Sequence, residues 1–173
     1  MSPAPADLVN AVELARRAAT LERRAGLPQL SRLREAGALE GTQVVATLEF
    51  DTFEGRVTVA VRVVGQVVLA CQRCLKPCTC EVEETASLAV VADDADPVPG
   101  GYEPLLGDPE RLSVAELIEE QVLLGLPLVP KHADAAVCGE AAGSAGKIER
   151  APAADDRQRP FADLRRLLDE GGR

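Results

Sequence analysis

The chain has no tryptophan, one tyrosine, three phenylalanines and a single histidine in 173 residues. So few rings give unpaired bases little to stack on, and a net charge of −9 repels phosphate backbones, so a broad RNA groove is disfavoured. One histidine and scattered loop carboxylates supply no nucleophile–base pair and no cage of acids for a metal-dependent hydrolase or nuclease. Neither G-x-G-x-x-G nor G-x-x-x-x-G-K occurs, so the common phosphate-cradling loops are missing. No run approaches the roughly 18 apolar residues that a membrane helix needs, and MSPAPADLVN lacks the basic and apolar regions of a leader, so a soluble cytoplasmic protein is expected. Five cysteines, four of them within residues 71–80, are not spread out as a secreted disulfide framework would be, which again fits a reducing compartment.

What is present begins with a helical pattern. Leu8, Val12, Ala15 and Ala19 recur near a period of 3.6 behind Asp7, which predicts a capped helix to about Arg24. Gly26 and Pro28 interrupt it, and Leu30 and Leu33 predict a shorter second helix ending by Gly37. From Thr42 the period becomes two. Val44, Ala46, Leu48 and Phe50 alternate with polar residues, and Val57, Val59, Val61 and Val63 repeat the pattern after a hairpin at Thr52–Gly55. Gly65 permits a further tight turn into a third strand at Gln66–Cys71, and Thr79–Val91 reads as a fourth. Connections this short require antiparallel pairing. Residues 92–112 show neither period and read as an extended acidic loop. Ser113 and Glu116 form a capping box that opens a helix with Val114, Leu117, Ile118 and Val122 inside and Glu116, Glu119 and Glu120 facing water. Gly125 and Pro127 end it, and Leu126–Pro130 should lie extended against the sheet.

The expected fold is therefore α+β: an antiparallel meander of about four strands, an N-terminal helical region and one helix after the sheet. Residues 1–132 form the single domain, and residues 133–173 a flexible tail with a terminal docking helix at 160–170. Phe161, Leu164 and Leu168 line one side of that helix, and a helix this short does not hold alone in water, so that side should meet the domain or a partner.

The most chemically specific stretch is Val67–Pro77, VVLACQRCLKP, a strand running into a C-x-x-C loop. Cys71 and Cys74 can share one tetrahedral metal if a second pair of soft ligands comes from elsewhere. His132 with Cys138 is one such pair, and Cys78 with Cys80 the other. The first is preferred because Cys78 and Cys80 begin a strand, where neighbours point to opposite faces. Thiolates select zinc over magnesium or calcium, so one structural zinc on Cys71, Cys74, His132 and Cys138 is the candidate cofactor, with reduced, partly buried thiols as the alternative. A redox dithiol would need a helix N-terminus after the first cysteine, and turn and strand are predicted there instead. No enzyme activity is expected.

LACQRCLKP, the later YEP at Tyr102–Pro104, VAELIEEQVLLGLPLVPKH at Val114–His132 and PFADLRRLL at Pro160–Leu168 stand in the order in which they occur in the YceD family, which the chain resembles. The resemblance implies a cytoplasmic, non-catalytic factor for synthesis, processing or stability of large-subunit 23S ribosomal RNA. Ribosomal RNA or a ribosome-assembly protein is the implied partner, with no membrane and no small-molecule substrate. Charge leaves two routes to such a partner: a small basic face of Arg73, Lys76 and Lys131 around the cysteine loop, or a protein intermediary. An acidic interaction adaptor unrelated to ribosome assembly is the competing reading.

Overall fold

A computed structural model describes residues 8–93 and 95–139. In chain order the elements are β1 (Leu8–Val9), α1 (Ala11–Arg16), β2 (Thr20–Gly26), α2 (Ser31–Glu35), β3 (Gln43–Phe53), β4 (Arg56–Ala70), β5 (Pro77–Val91), β6 (Glu103–Leu106), β7 (Leu112–Ser113) and α3 (Val114–Leu124), followed by a 3-10 turn at Ala135–Cys138. A five-stranded sheet has the order β2-β3-β4-β5-β6, and β1 pairs separately with β7. The α+β class and the antiparallel sheet are as expected. The expected helix at 160–170, with Phe161, Leu164 and Leu168, lies outside the described residues.

The sheet is built on the alternation seen in the sequence. Register places Ala46 opposite Val63, Leu48 opposite Val61 and Phe50 opposite Val59, all buried, while Glu49, Arg62, Glu83 and Thr85 stay on the wet face. Helices α1 and α3 cover the apolar face. Burying a side chain such as Phe50 or Leu48 contributes about 1.5–3 kcal/mol, and these interdigitated rows form one continuous core.

Several local expectations are corrected. The helix predicted to run to Arg24 stops after one and a half turns. The Asn10 side chain, rather than Asp7, caps it by accepting from Glu13 N–H at 2.9 Å. Ala18 adopts φ 46° and ends it, and Thr20–Gly26 becomes the sheet's edge strand, because pairing with β3 satisfies a whole ladder of backbone groups that a longer surface helix would not improve on. Arg23 and Arg24, exposed on this edge, suit the charged rim that discourages further pairing.

Gly65 is not a turn. It sits inside the 15-residue β4, where a Cβ would press on the Gln43 carbonyl and come within 2.6 Å of Val44 Cα. The glycine marks close backbone approach, the other standard meaning of Gly in a strand. The predicted third and fourth strands are thus the end of β4 and all of β5, joined by the cysteine loop. The acidic loop also contains β6, which adds a parallel edge to β5, and β7, which leads into α3.

Glu119 does not face water. It is 3% exposed, and its carboxylate accepts from Leu33 N–H at 2.9 Å. The residue at the N-cap of helix α2 is Leu30, which offers no capping side chain, so a residue from α3 serves as its cap. The Arg32–Glu120 ion pair lies beside this contact. Leu126–Pro130 does not lie flat against the sheet either: Leu126 is half-buried, but Leu128 is fully exposed, because Pro127 and Pro130 restrict the backbone and the core is already closed by α3.

Candidate metal centre

Strand β4 delivers Cys71 to the end of the buried face, and the loop that follows folds back tightly on it. Leu75 N–H donates to the Cys71 carbonyl at 2.8 Å, and Cys71 N–H donates to the Lys76 carbonyl at 2.9 Å. Closing this turn puts Leu75 at φ 61°, a left-handed conformation that branched side chains seldom adopt. The turn lifts Cys74 to the same side as Cys71.

The second half of the centre comes from beyond α3. Gln72 N–H donates to the Pro130 carbonyl at 2.8 Å and lays residues 126–132 alongside the cysteine loop. Asp134 then caps the short turn Ala135–Cys138 by accepting from Ala136 N–H, and this turn carries Cys138 inward until it is 4% exposed. The sulfurs of Cys71, Cys74 and Cys138 and a ring nitrogen of His132 all lie within 4.8 Å of one another. Residues separated by more than 50 positions meet because the Gln72–Pro130 bond, the closed cysteine turn and the Asp134-capped turn aim them.

The donor set fits a tetrahedral zinc. Two sulfurs each about 2.3 Å from a tetrahedral centre would be about 3.8 Å apart. Cys71 Sγ and Cys138 Sγ are 3.9 Å apart, Cys74 Sγ and His132 Nδ1 3.6 Å, and Cys138 Sγ and His132 Nδ1 3.5 Å. His132 is oriented for ligation: its Nε2 is 2.9 Å from the Pro77 carbonyl, which selects the tautomer with a proton on Nε2 and a lone pair on Nδ1. Four protein donors leave no open position, which is the pattern of structural rather than catalytic zinc.

The electrostatics favour anionic sulfur at Cys71 and oppose it at Cys138. Burial pushes the Cys71 thiol up, but the N–H of Arg73, then groups of His132 and Cys74, more than offset it and hold the thiol down at about 5. Burial raises Cys138 above the ordinary thiol range. The Arg73 guanidinium approaches Cys138 Sγ at 3.8 Å, and the Arg73 backbone N–H donates to Cys71 Sγ at 3.4 Å. Arg73, read from the sequence as one of three exposed cations, is therefore turned inward onto the sulfurs, whereas Lys76 and Lys131 are exposed beside them.

Cys78 and Cys80 stay outside the cluster. Two residues apart on β5, they share the buried face opposite Leu69 and Val67, so the expectation that they point to opposite faces is corrected. Burial pushes Cys78 up to about 11, a neutral core thiol. What the sequence reading missed was the support around the ligands: the Arg73 contacts, the Pro77 carbonyl behind His132 and the Gln72–Pro130 bond. The adjacency of Arg73 to the cysteines was the available signal for the first.

Comparison with known proteins bears on the same region. A family described as "Large ribosomal RNA subunit accumulation protein YceD" matches residues 59–168, from within β4 through the cysteine centre. A large ribosomal RNA subunit accumulation protein from Haemophilus influenzae is 35% identical over 109 residues, which cover 60% of this chain and 62% of that relative. The chain is thus aligned to less than two thirds of the relative's length. No solved structure matches.

Proposed function

Since this chain belongs to the YceD family, we propose that it is a non-catalytic factor required for accumulation of large-subunit ribosomal RNA, acting in the synthesis, processing or stability of the 23S species. The observation that carries the reading is the extent of the family match, which spans the β4–β5 hairpin, α3 and all four residues of the cysteine–histidine centre. The partner in this reading is ribosomal RNA or a protein that assembles on it, reached in the cytoplasm. Among the described residues no helix is long and apolar enough to cross a membrane, which is compatible with that setting.

The centre holds one structural zinc ion in this reading. Cys71, Cys74, His132 and Cys138 would be its ligands, and three sulfurs favour zinc over hard divalent cations. Bound there, zinc supplies cross-linking rather than Lewis-acid chemistry. The chain's own residues do the rest: Pro77 fixes the histidine, Arg73 offsets sulfur charge, and Gln72 holds the incoming segment.

A strain lacking the gene tests the functional reading. Mature 23S RNA measured against the small-subunit RNA, with gradient profiles of ribosomal particles, should fall or show unprocessed precursor, and the full-length chain should restore it. Normal levels and normal maturation at low and high growth temperature would overturn it.

A further inference from the structure

The surface around the cysteine centre differs from the rest of this acidic molecule. Residues 70–80 and 121–133 contain Arg73, Lys76 and Lys131 and not one aspartate or glutamate. Of the acids that border these stretches, Glu120 pairs with Arg32 and Asp134 has its carboxylate engaged by Ala136 N–H, while Glu81 is exposed on β5. Arg73 faces the sulfurs. With zinc bound, three thiolates would leave one negative charge for Arg73 to balance, and Lys76 and Lys131 would remain as the exposed cations beside the centre. The ion pairs among the described residues involve other cations.

The same end carries exposed apolar groups. Leu75 is 78% exposed at the tip of the cysteine turn, and Leu128 and Val129 are 101% and 52% exposed in the proline-stiffened segment beside it. Their positions are fixed in advance: Leu75 by its closed turn, Leu128 and Val129 by two prolines and the Gln72–Pro130 bond. Exposed apolar side chains on two adjoining segments, each with an exposed lysine, match a ligand that presents both apolar faces and negative charge. Unpaired nucleotides do so, with base faces for the leucines and phosphates for the lysines.

We propose that this end of the molecule, formed by the cysteine turn and residues 126–132, binds a short unpaired RNA segment, with phosphates on Lys76 and Lys131 and bases against Leu75 and Leu128. The assignment rests on the ribosomal-RNA reading above and narrows it to direct contact at one place. It also resolves the charge conflict, because a contact of two phosphates needs no broad basic groove.

Two neutralised phosphates on a single strand predict a slope of about −1.4 for the logarithm of affinity against that of salt, or about sevenfold weakening between about 50 and about 200 mM. Fluorescence anisotropy of a labelled single-stranded RNA of mixed sequence, titrated with full-length zinc-loaded protein, reads this directly. Lys76→Ala with Lys131→Ala should weaken binding and flatten the salt dependence. Leu128→Ser should weaken binding with the slope unchanged, and Arg62→Ala, on the outer sheet face, should change nothing. Absence of RNA binding at low salt, or an unaltered slope in the double-lysine variant, would overturn the proposal. So would binding to RNA-free large-subunit ribosomal proteins that Leu128→Ser abolishes and the lysine changes leave intact, since that would assign the surface to a protein. In cells, full restoration of 23S RNA by the double-lysine variant would refute this contact and leave the functional reading standing, whereas normal RNA in the deletion strain would refute the functional reading alone.

Discussion

The β3–β5 body and the end of the molecule beyond α3 are held together by different means. In the body, each strand contributes alternate side chains to one buried face, and every backbone ladder is closed by a neighbour. Residues 126–139 have no such periodic support: they form one short 3-10 turn, expose Leu128 and Val129, and contact the body through the Gln72–Pro130 bond and the side chains of His132 and Cys138. Many small contributions make the body insensitive to any one solution condition. The far end depends on a few donors whose state depends on metal and protons.

The largest expected effect is in the body. Leu48→Ala should remove about 2–5 kcal/mol of global stability, seen as a lower denaturation midpoint with or without zinc, because Leu48 is fully buried opposite Val61. A loss that depended on metal would erase the contrast between the two regions.

A smaller loss is expected at the α2–α3 junction. Glu119→Ala leaves Leu33 N–H without its acceptor and should destabilise by about 1–3 kcal/mol in chemical denaturation, independently of metal. Little change would mean that α2 is capped in some other way.

The smallest effect is a difference in pH dependence. Cys78 is raised from 9.0 to about 11 in the fold, so the folded state retains a proton that the unfolded chain releases above about 9. Its contribution is whole below pH 9 and is lost as pH climbs through 11. Cys78→Ala should therefore lose less stability than the parent between those values, measured as the gap in melting temperature across the alkaline range. Parallel curves would remove Cys78 from the account.

The contrast also explains what could be read beforehand. Val44 to Phe50 and Val57 to Val63 announce their strands because period two is imposed by the pleat itself, and Ser113 accepts from Glu116 N–H as its spacing suggested. Cys71 and Cys74 were legible as half of a site, and His132 and Cys138 as the remaining soft donors. Other features depend on distant partners. Thr20–Gly26 carries a helix-like pattern that yields to pairing with β3, and β6 is made by β5 rather than by its own composition. Glu119 reads as a surface residue until α2 is seen to lack a side-chain cap, and Arg73 reads as a surface cation until Cys138 arrives beside it.

Hydrogen–deuterium exchange of the full-length protein, with zinc and after chelation, tests the central claim that the body supports itself while metal holds the far end. Chelation should leave protection of Gln43–Phe53 and Arg56–Ala70 intact but sharply accelerate exchange at Gln72 and across residues 135–139, with zinc restoring the original pattern. Equal protection at those sites with and without zinc would contradict it.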